Sequence, residues 1–170
     1  ASIQHLEKAS ALSPQKQQIL FQLGATYIQK GNIAKAIEVL KKAYDLDTRY
    51  ESARILYAGA LYYAGNRAEA DKLLTDGFGT VLYSNDQLLQ IYANTKQYDR
   101  VIAIWQARVE KAPKDANMLM GLATAYFTSG NVAQTIATLQ KGAQLDPSQA
   151  GQMQSLITQL QNGTLKPPTQ

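Results

Sequence analysis

Apolar residues recur along this chain at helical spacing, in stripes separated by short polar breaks. Leu20, Leu23 and Tyr27 form one stripe, and Ile33, Ile37, Leu40 and Tyr44 form the next. A period near 3.6 residues places each set on one helix face. Small residues at Gly24, Ala25, Ala36 and Ala43 let neighbouring helices approach closely. The breaks carry helix-end chemistry. Gly31 suits the left-handed residue that closes a helix, and Asn32 suits the cap of the next one. Thr48 with Glu51, and Ser84 with Gln87, have the spacing of a capping box. Asp146-Pro147 supplies a cap followed by proline at the first helical position. The glycines Gly77 and Gly79 predict a helix stop near Asp76, because glycine in a helix interior costs about 1 kcal/mol relative to alanine. No stretch of useful length alternates apolar and polar residues as a strand does. The pattern predicts an all-α protein.

The stripes themselves repeat. Four copies begin near Gln17, Glu51, Leu82 and Ala116, at spacings of 34, 31 and 34 residues. In register, Leu23-Gly24 falls on Leu122-Ala123, Tyr27 on Tyr126, Gly31-Asn32 on Gly130-Asn131, Ile37 on Ile136 and Leu40 on Leu139. A self-similar period of about 34 residues marks a helical solenoid whose units do not fold alone. On these residues the chain resembles the tetratricopeptide-repeat family. Copies one and four match almost throughout. Copy two keeps Leu61, Gly65-Asn66, Ala70 and Leu74. Copy three keeps Leu88, Tyr92, Tyr98, Val101-Ile102, Trp105 and Pro113, but has Lys96 at the turn and Leu89 where a small residue is usual. The resemblance implies a right-handed superhelical solenoid of antiparallel helix pairs. Its repeats lie near residues 17–50, 51–81, 82–115 and 116–149, within one domain spanning 1–162.

The flanks extend this scheme. Residues 2–14 align with the second helix of a repeat, Ile3 on Ile37 and Leu6 on Leu40. They read either as a repeat cut part-way through a longer protein or as a natural capping helix. Residues 147–161 predict one further helix that caps the last repeat, as terminal repeats require. Residues 163–170 read as a flexible tail.

Composition narrows the function. With 170 residues and 45% hydrophobic content, the chain is long enough to bury a sizeable core. The net charge of +4 comes from scattered lysines such as Lys35, Lys41 and Lys42, which read as a solvated outer face. Nucleic-acid binding needs clustered lysine and arginine, so that class is set aside. The absence of cysteine excludes disulfides and thiolate ligands and leaves the redox compartment open. No transmembrane run or signal peptide is present, so this stretch does not itself insert into a membrane. His5 stands alone, and no phosphate loop or hydrolase motif occurs. Neither a catalytic residue, a metal site nor a cofactor is implied, and the chain reads as non-catalytic.

The resemblance implies instead a concave groove, lined by the first helix of each repeat, that holds a peptide or a partner segment. The family positions fall on Gln18, Phe21, Ala25 and Ile28 in copy one and on Ser52, Ile55, Gly59 and Tyr62 in copy two. Copy three places Tyr83, Asp86, Gln90 and Asn94 there, and copy four Asn117, Met120, Thr124 and Phe127. None is Lys or Arg, so the family's carboxylate clamp is absent. Phe21, Ile55, Tyr62, Met120 and Phe127 are the candidate apolar anchors, with packing between repeats as the other reading for Ile28, Tyr62 and Phe127, and Tyr83 is a further groove candidate. Gln90, Asn94 and Asn117 are the candidate polar contacts, since amides donate and accept. The short seam around Tyr63, Phe78 and Tyr83 reads as a bend that shapes a site or as a tolerated deletion. A second resemblance, carried by GFGTVLYSNDQLLQIY and the copy that follows it, is to repeat tails of bacterial membrane proteins of the O-antigen ligase/polymerase type. It implies a soluble tail of such a protein. The expected partner is a protein or peptide, and self-association as a homo-oligomer or a spacer role is the alternative.

Overall fold

A computed structural model describes residues 2–168. Among the described residues the chain is all helix and turn, without a strand. The helices are α1 (Ile3–Leu12), α2 (Gln17–Gln29), α3 (Ile33–Leu46), α4 (Glu51–Tyr63), α5 (Arg67–Phe78), α6 (Asp86–Asn94), α7 (Tyr98–Lys111), α8 (Ala116–Thr128), α9 (Val132–Leu145) and α10 (Pro147–Gln161). Sequential helices pack on one another, α2 on α3, α4 on α5, α8 on α9 and α9 on α10. The fold class is therefore the α solenoid of helix pairs that the period predicts.

The turn within each pair is built the same way four times. The backbone N–H of Asn32, Asn66, Gln97 and Asn131 bonds to the carbonyl of Tyr27, Leu61, Tyr92 and Tyr126, five residues back, at 2.8–2.9 Å. The residue before each takes a left-handed conformation: Gly31, Gly65 and Gly130 in three turns, Lys96 in the other. This closes the orphan carbonyls of the first helix as a Schellman motif. Asn32 and Asn131 then cap the second helix by accepting from Lys35 and Gln134 N–H.

Other helix ends depart from the sequence expectation. The Thr48–Glu51 box does not form: Tyr50 precedes α4 without a side-chain cap, and the Glu51 carboxylate instead accepts from Tyr83 Oη and Asn85 Nδ2. Nor does the Ser84–Gln87 box. Asn85 Oδ1 takes that place, accepting from the N–H of Gln87 and Leu88. Helix α5 does not stop at Asp76 but runs through Gly77 to Phe78, where Gly79 closes it at φ 73°. Gly77 serves a close approach, not a stop. A Cβ there would lie 2.2 Å from Arg54 Nε, whose guanidinium donates to the carbonyls of Leu73 and Thr48.

The span read as one domain divides into two compact units at Ile91/Tyr92, inside α6. In the first unit, Leu20, Leu40, Ile55, Leu61, Leu74 and Leu88 are buried. In the second, Ile104, Leu119, Leu139, Met153 and Ile157 are. Each such side chain contributes about 1.5–3 kcal/mol on leaving water. Residues 163–165 depart from the flexible-tail expectation. Gly163 turns left-handed at φ 74°, Leu165 N–H bonds to the Gln159 carbonyl at 3.0 Å, and Leu165 packs against the α8–α10 core. The unsatisfied carbonyls at the end of α10 explain why the chain folds back there. Thr169 and Gln170 lie outside the described residues.

Candidate functional site

The second unit holds an apolar cavity of about 270 Å³. Helix α8 gives it Met120, Ala123, Thr124 and Phe127, at the three- and four-residue steps that share one face. Helix α9 adds Thr135 and Leu139, and α10 adds Leu156 and Leu160, again four apart. Leu165 closes one side.

The polar groups in the wall are already engaged. Thr124 Oγ1 donates to the Met120 carbonyl at 2.9 Å, and Thr135 Oγ1 to the Asn131 carbonyl at 2.8 Å. Both hydroxyls turn back onto their own helices. The cavity thus presents hydrocarbon, and it rewards an apolar group. Its volume falls just below the roughly 300–1,000 Å³ of small-molecule pockets, which suits one inserted side chain better than a free ligand.

The start of α10 is held by side-chain bonds. Asp146 caps that helix by accepting from Ser148 N–H at 2.9 Å and holds Gln149 Nε2 at 2.8 Å. The bonds from Ser148 and Gln149 lower the Asp146 pKa. Gln149 Nε2 also reaches Asn117 Oδ1 at 3.4 Å, which ties the start of α8 to the start of α10.

The family model for the tetratricopeptide repeat matches residues 17–50, the first of the four copies. Residues 17–50 are thus a tetratricopeptide repeat. The chain is 22% identical over 140 residues to the BBSome complex member BBS4 homolog of Drosophila melanogaster, covering 74% of this chain and 29% of that protein. It is 27% identical over 146 residues to Protein O-mannosyl-transferase TMTC1 of Homo sapiens, covering 79% of this chain and 16% of that protein. The chain spans less than a third of the length of these curated relatives. In structure it is similar to MamA, with a TM-score of 0.53 at 22% identity over 88% of this chain and 89% of that one. A second MamA structure gives a TM-score of 0.51 at 21% identity, over 88% and 83% of the two chains. At these identities the likeness shows the fold. None of these names carries the O-antigen ligase/polymerase type, and that resemblance rests on the sequence alone.

The expected groove positions separate into three groups. Met120 and Phe127 are half-buried and line the cavity, and Asn117, three residues before Met120 on α8, is exposed. Phe21, Ile55 and Tyr62 belong to the packed interior, a reading the sequence had left open for Tyr62. Phe21 packs on Tyr50 with ring centroids 5.9 Å apart, Ile55 is wholly buried, and buried Tyr62 donates to Asp71 Oδ1 at 2.6 Å. Tyr83 is also engaged, stacked on Phe78 at 4.1 Å and bonded to Glu51. That bond raises its pKa. Of the seam aromatics, Phe78 and Tyr83 thus stack on one another. Gln90 and Asn94 are exposed on α6, one in each unit.

Sequence reasoning missed Thr135, Leu139, Leu156, Leu160 and Leu165. The Leu156–Leu160 step was a usable signal, since a capping helix needs an apolar face. Leu165 offered none beyond the glycine before it. His5 is exposed and bonded to Ser2 Oγ. Among the described residues no group of three or more His, Cys, Asp or Glu is placed to hold a metal, and no helix is long and apolar enough to cross a membrane.

Proposed function

We propose that this chain is a non-catalytic protein-interaction scaffold that takes an apolar side chain of a partner peptide into the α8–α10 cavity. The observation that carries the reading is the meeting, in one cavity, of Met120 and Phe127 with the α10 leucines Leu156 and Leu160. Two of the repeat's expected ligand positions thereby face hydrocarbon with its hydroxyls turned away. Exposed Asn117, three residues before Met120 on α8, is there to meet peptide backbone. The repeat family, whose fold typically serves protein–protein contacts, supports the same reading.

The test is peptide selection from a random library on the full chain. Enriched peptides should share one apolar anchor and should lose affinity on Phe127→Ala and Leu156→Ala. Exposed Gln22→Ala on α2 should leave binding unchanged. Enrichment of purely charged peptides, or binding indifferent to Phe127→Ala, rejects the reading.

Self-association is the second reading, favoured by Leu12, which is 85% exposed at the end of α1. Sedimentation of the wild type and Leu12→Ser decides it. A concentration-dependent dimer that Leu12→Ser dissolves supports this reading, and a monomer at all concentrations removes it.

A further inference from the structure

Among the described residues that line the cavity, Leu165 alone lies outside a helix. Its position depends on a small set of local bonds. Gly163 reverses the chain at φ 74°, and Leu165 N–H reaches the Gln159 carbonyl at 3.0 Å. Thr164 Oγ1 donates to Asn162 Oδ1 at 2.7 Å, and the same oxygen accepts from Thr164 N–H at 3.0 Å. Thr164 and Lys166 on either side of Leu165 are exposed. Pro167 and Pro168 have no N–H with which to extend the attachment. The other walls are fixed from behind: Met153 and Ile157 anchor α10 with almost no exposed surface.

One partly buried side chain and a few exposed hydrogen bonds are the marks of a segment that opens at low free energy. Leucine is also the kind of group the cavity is built to accept. We propose that residues 163–168 are a stopper acting in cis: Leu165 occupies part of the cavity in the free protein and swings out about Gly163 when an apolar group enters. This rests on the interaction reading above, because it assigns the cavity a visitor. The stopper makes binding competitive. A weak apolar contact fails to displace Leu165, whereas a well-fitted anchor succeeds, so the segment raises the threshold for partners.

The probe is the dye 8-anilino-1-naphthalenesulfonate, titrated into the full chain and into Leu165→Ala, Gly163→Ala and Phe127→Ala. Leu165→Ala should bind the dye several-fold more tightly than the wild type. Gly163→Ala, which strains the hinge, should move the same way. Amide exchange on the wild type supplies a readout that needs no variant: the Leu165 N–H should lose protection when the dye saturates. If Leu165→Ala weakens the dye in parallel with Phe127→Ala, Leu165 is a wall and the stopper is wrong. If Phe127→Ala abolishes binding while Leu165→Ala and the Leu165 amide are indifferent, the stopper falls and the cavity reading survives. No dye response in any of the four proteins removes both.

Discussion

Lys96 holds the same left-handed backbone conformation as Gly31, φ 57° against 73°, at the equivalent turn of a different repeat. A side chain in that region meets its own carbonyl, at a cost of about 1–2 kcal/mol that glycine avoids. Lys96→Gly should therefore stabilise the chain by roughly 1 kcal/mol, part of the relief being offset by the added freedom of glycine in the unfolded state. A raised urea midpoint checks this, and a lowered one contradicts it.

The next residue compounds the strain. Gln97 stands where the other turns have asparagine, and its Oε1 is buried without a hydrogen-bond partner. A buried unsatisfied acceptor costs about 1–3 kcal/mol. Gln97→Asn should relieve this if the shorter amide turns toward the first N–H groups of α7, as Asn32 and Asn131 do on their helices. The double variant Lys96→Gly/Gln97→Asn should have the highest urea midpoint of the series. A double variant no better than Lys96→Gly would mean that the glutamine oxygen is satisfied by water.

Much of this was legible before the structure. Gly31-Asn32 and Asp146-Pro147 are short-range signals, because each acts on backbone groups only a few residues away. The structure accordingly places the ends of α2, α3 and α10 where these residues predict. The candidate site was half legible. The family resemblance assigns Phe21, Ile55 and Tyr62 to the first helices of their repeats. A repeat helix, however, has neighbours on more than one side, and spacing does not say which face stays open. Leu165 was illegible, since its place depends on a bond back to Gln159 and on walls from three helices.

Two glycines give the same substitution opposite signs. A Cβ on Gly121 in α8 would sit 2.3 Å from the Trp105 ring of α7, and Arg108 covers that ring at 4.7 Å. The ring is a rigid body that has to move as a whole, so Gly121→Ala should destabilise by about 1–3 kcal/mol. Gly151 in α10 has nothing within 4 Å of the same position. There alanine only improves helix propensity, and Gly151→Ala should stabilise by up to about 1 kcal/mol. Thermal melts of the two variants should move in opposite directions. Shifts of one sign would mean that Trp105 yields or that α10 is strained.

Arg54 and Gly77 should prove coupled. The Arg54 guanidinium donates to the Leu73 carbonyl at 2.9 Å and the Thr48 carbonyl at 2.7 Å, and it lies over the Tyr44 and Phe78 rings. Gly77→Ala in the wild type pushes a methyl into that guanidinium and should cost about 1–3 kcal/mol. In an Arg54→Ala background the obstacle is gone, and the same change should become neutral or stabilising through helix propensity. A double-mutant cycle measures the difference directly. Additive effects would show that Gly77 is glycine for some reason other than Arg54.

Alkaline pH should expose the α1–α2 contact. Tyr27 on α2 donates its phenolic hydrogen to Glu7 on α1, and this bond, with burial and the Glu7 charge, pushes its pKa up to about 12. Tyr57 is pushed up to about 12 as well, mainly by burial and then by Glu69. In the unfolded chain both phenols ionise near pH 10. Between pH 10 and 12 the folded protein therefore binds more protons than the unfolded one, so stability falls as pH rises. The contribution is complete below pH 10 and is lost as pH climbs through 12. Urea midpoints of the wild type should drop more steeply across that window than those of Tyr27→Phe. Tyr27→Phe/Tyr57→Phe should be flatter still. Parallel slopes for the wild type and Tyr27→Phe would mean that the Tyr27–Glu7 bond opens in solution and that α1 is held by Leu6 packing alone.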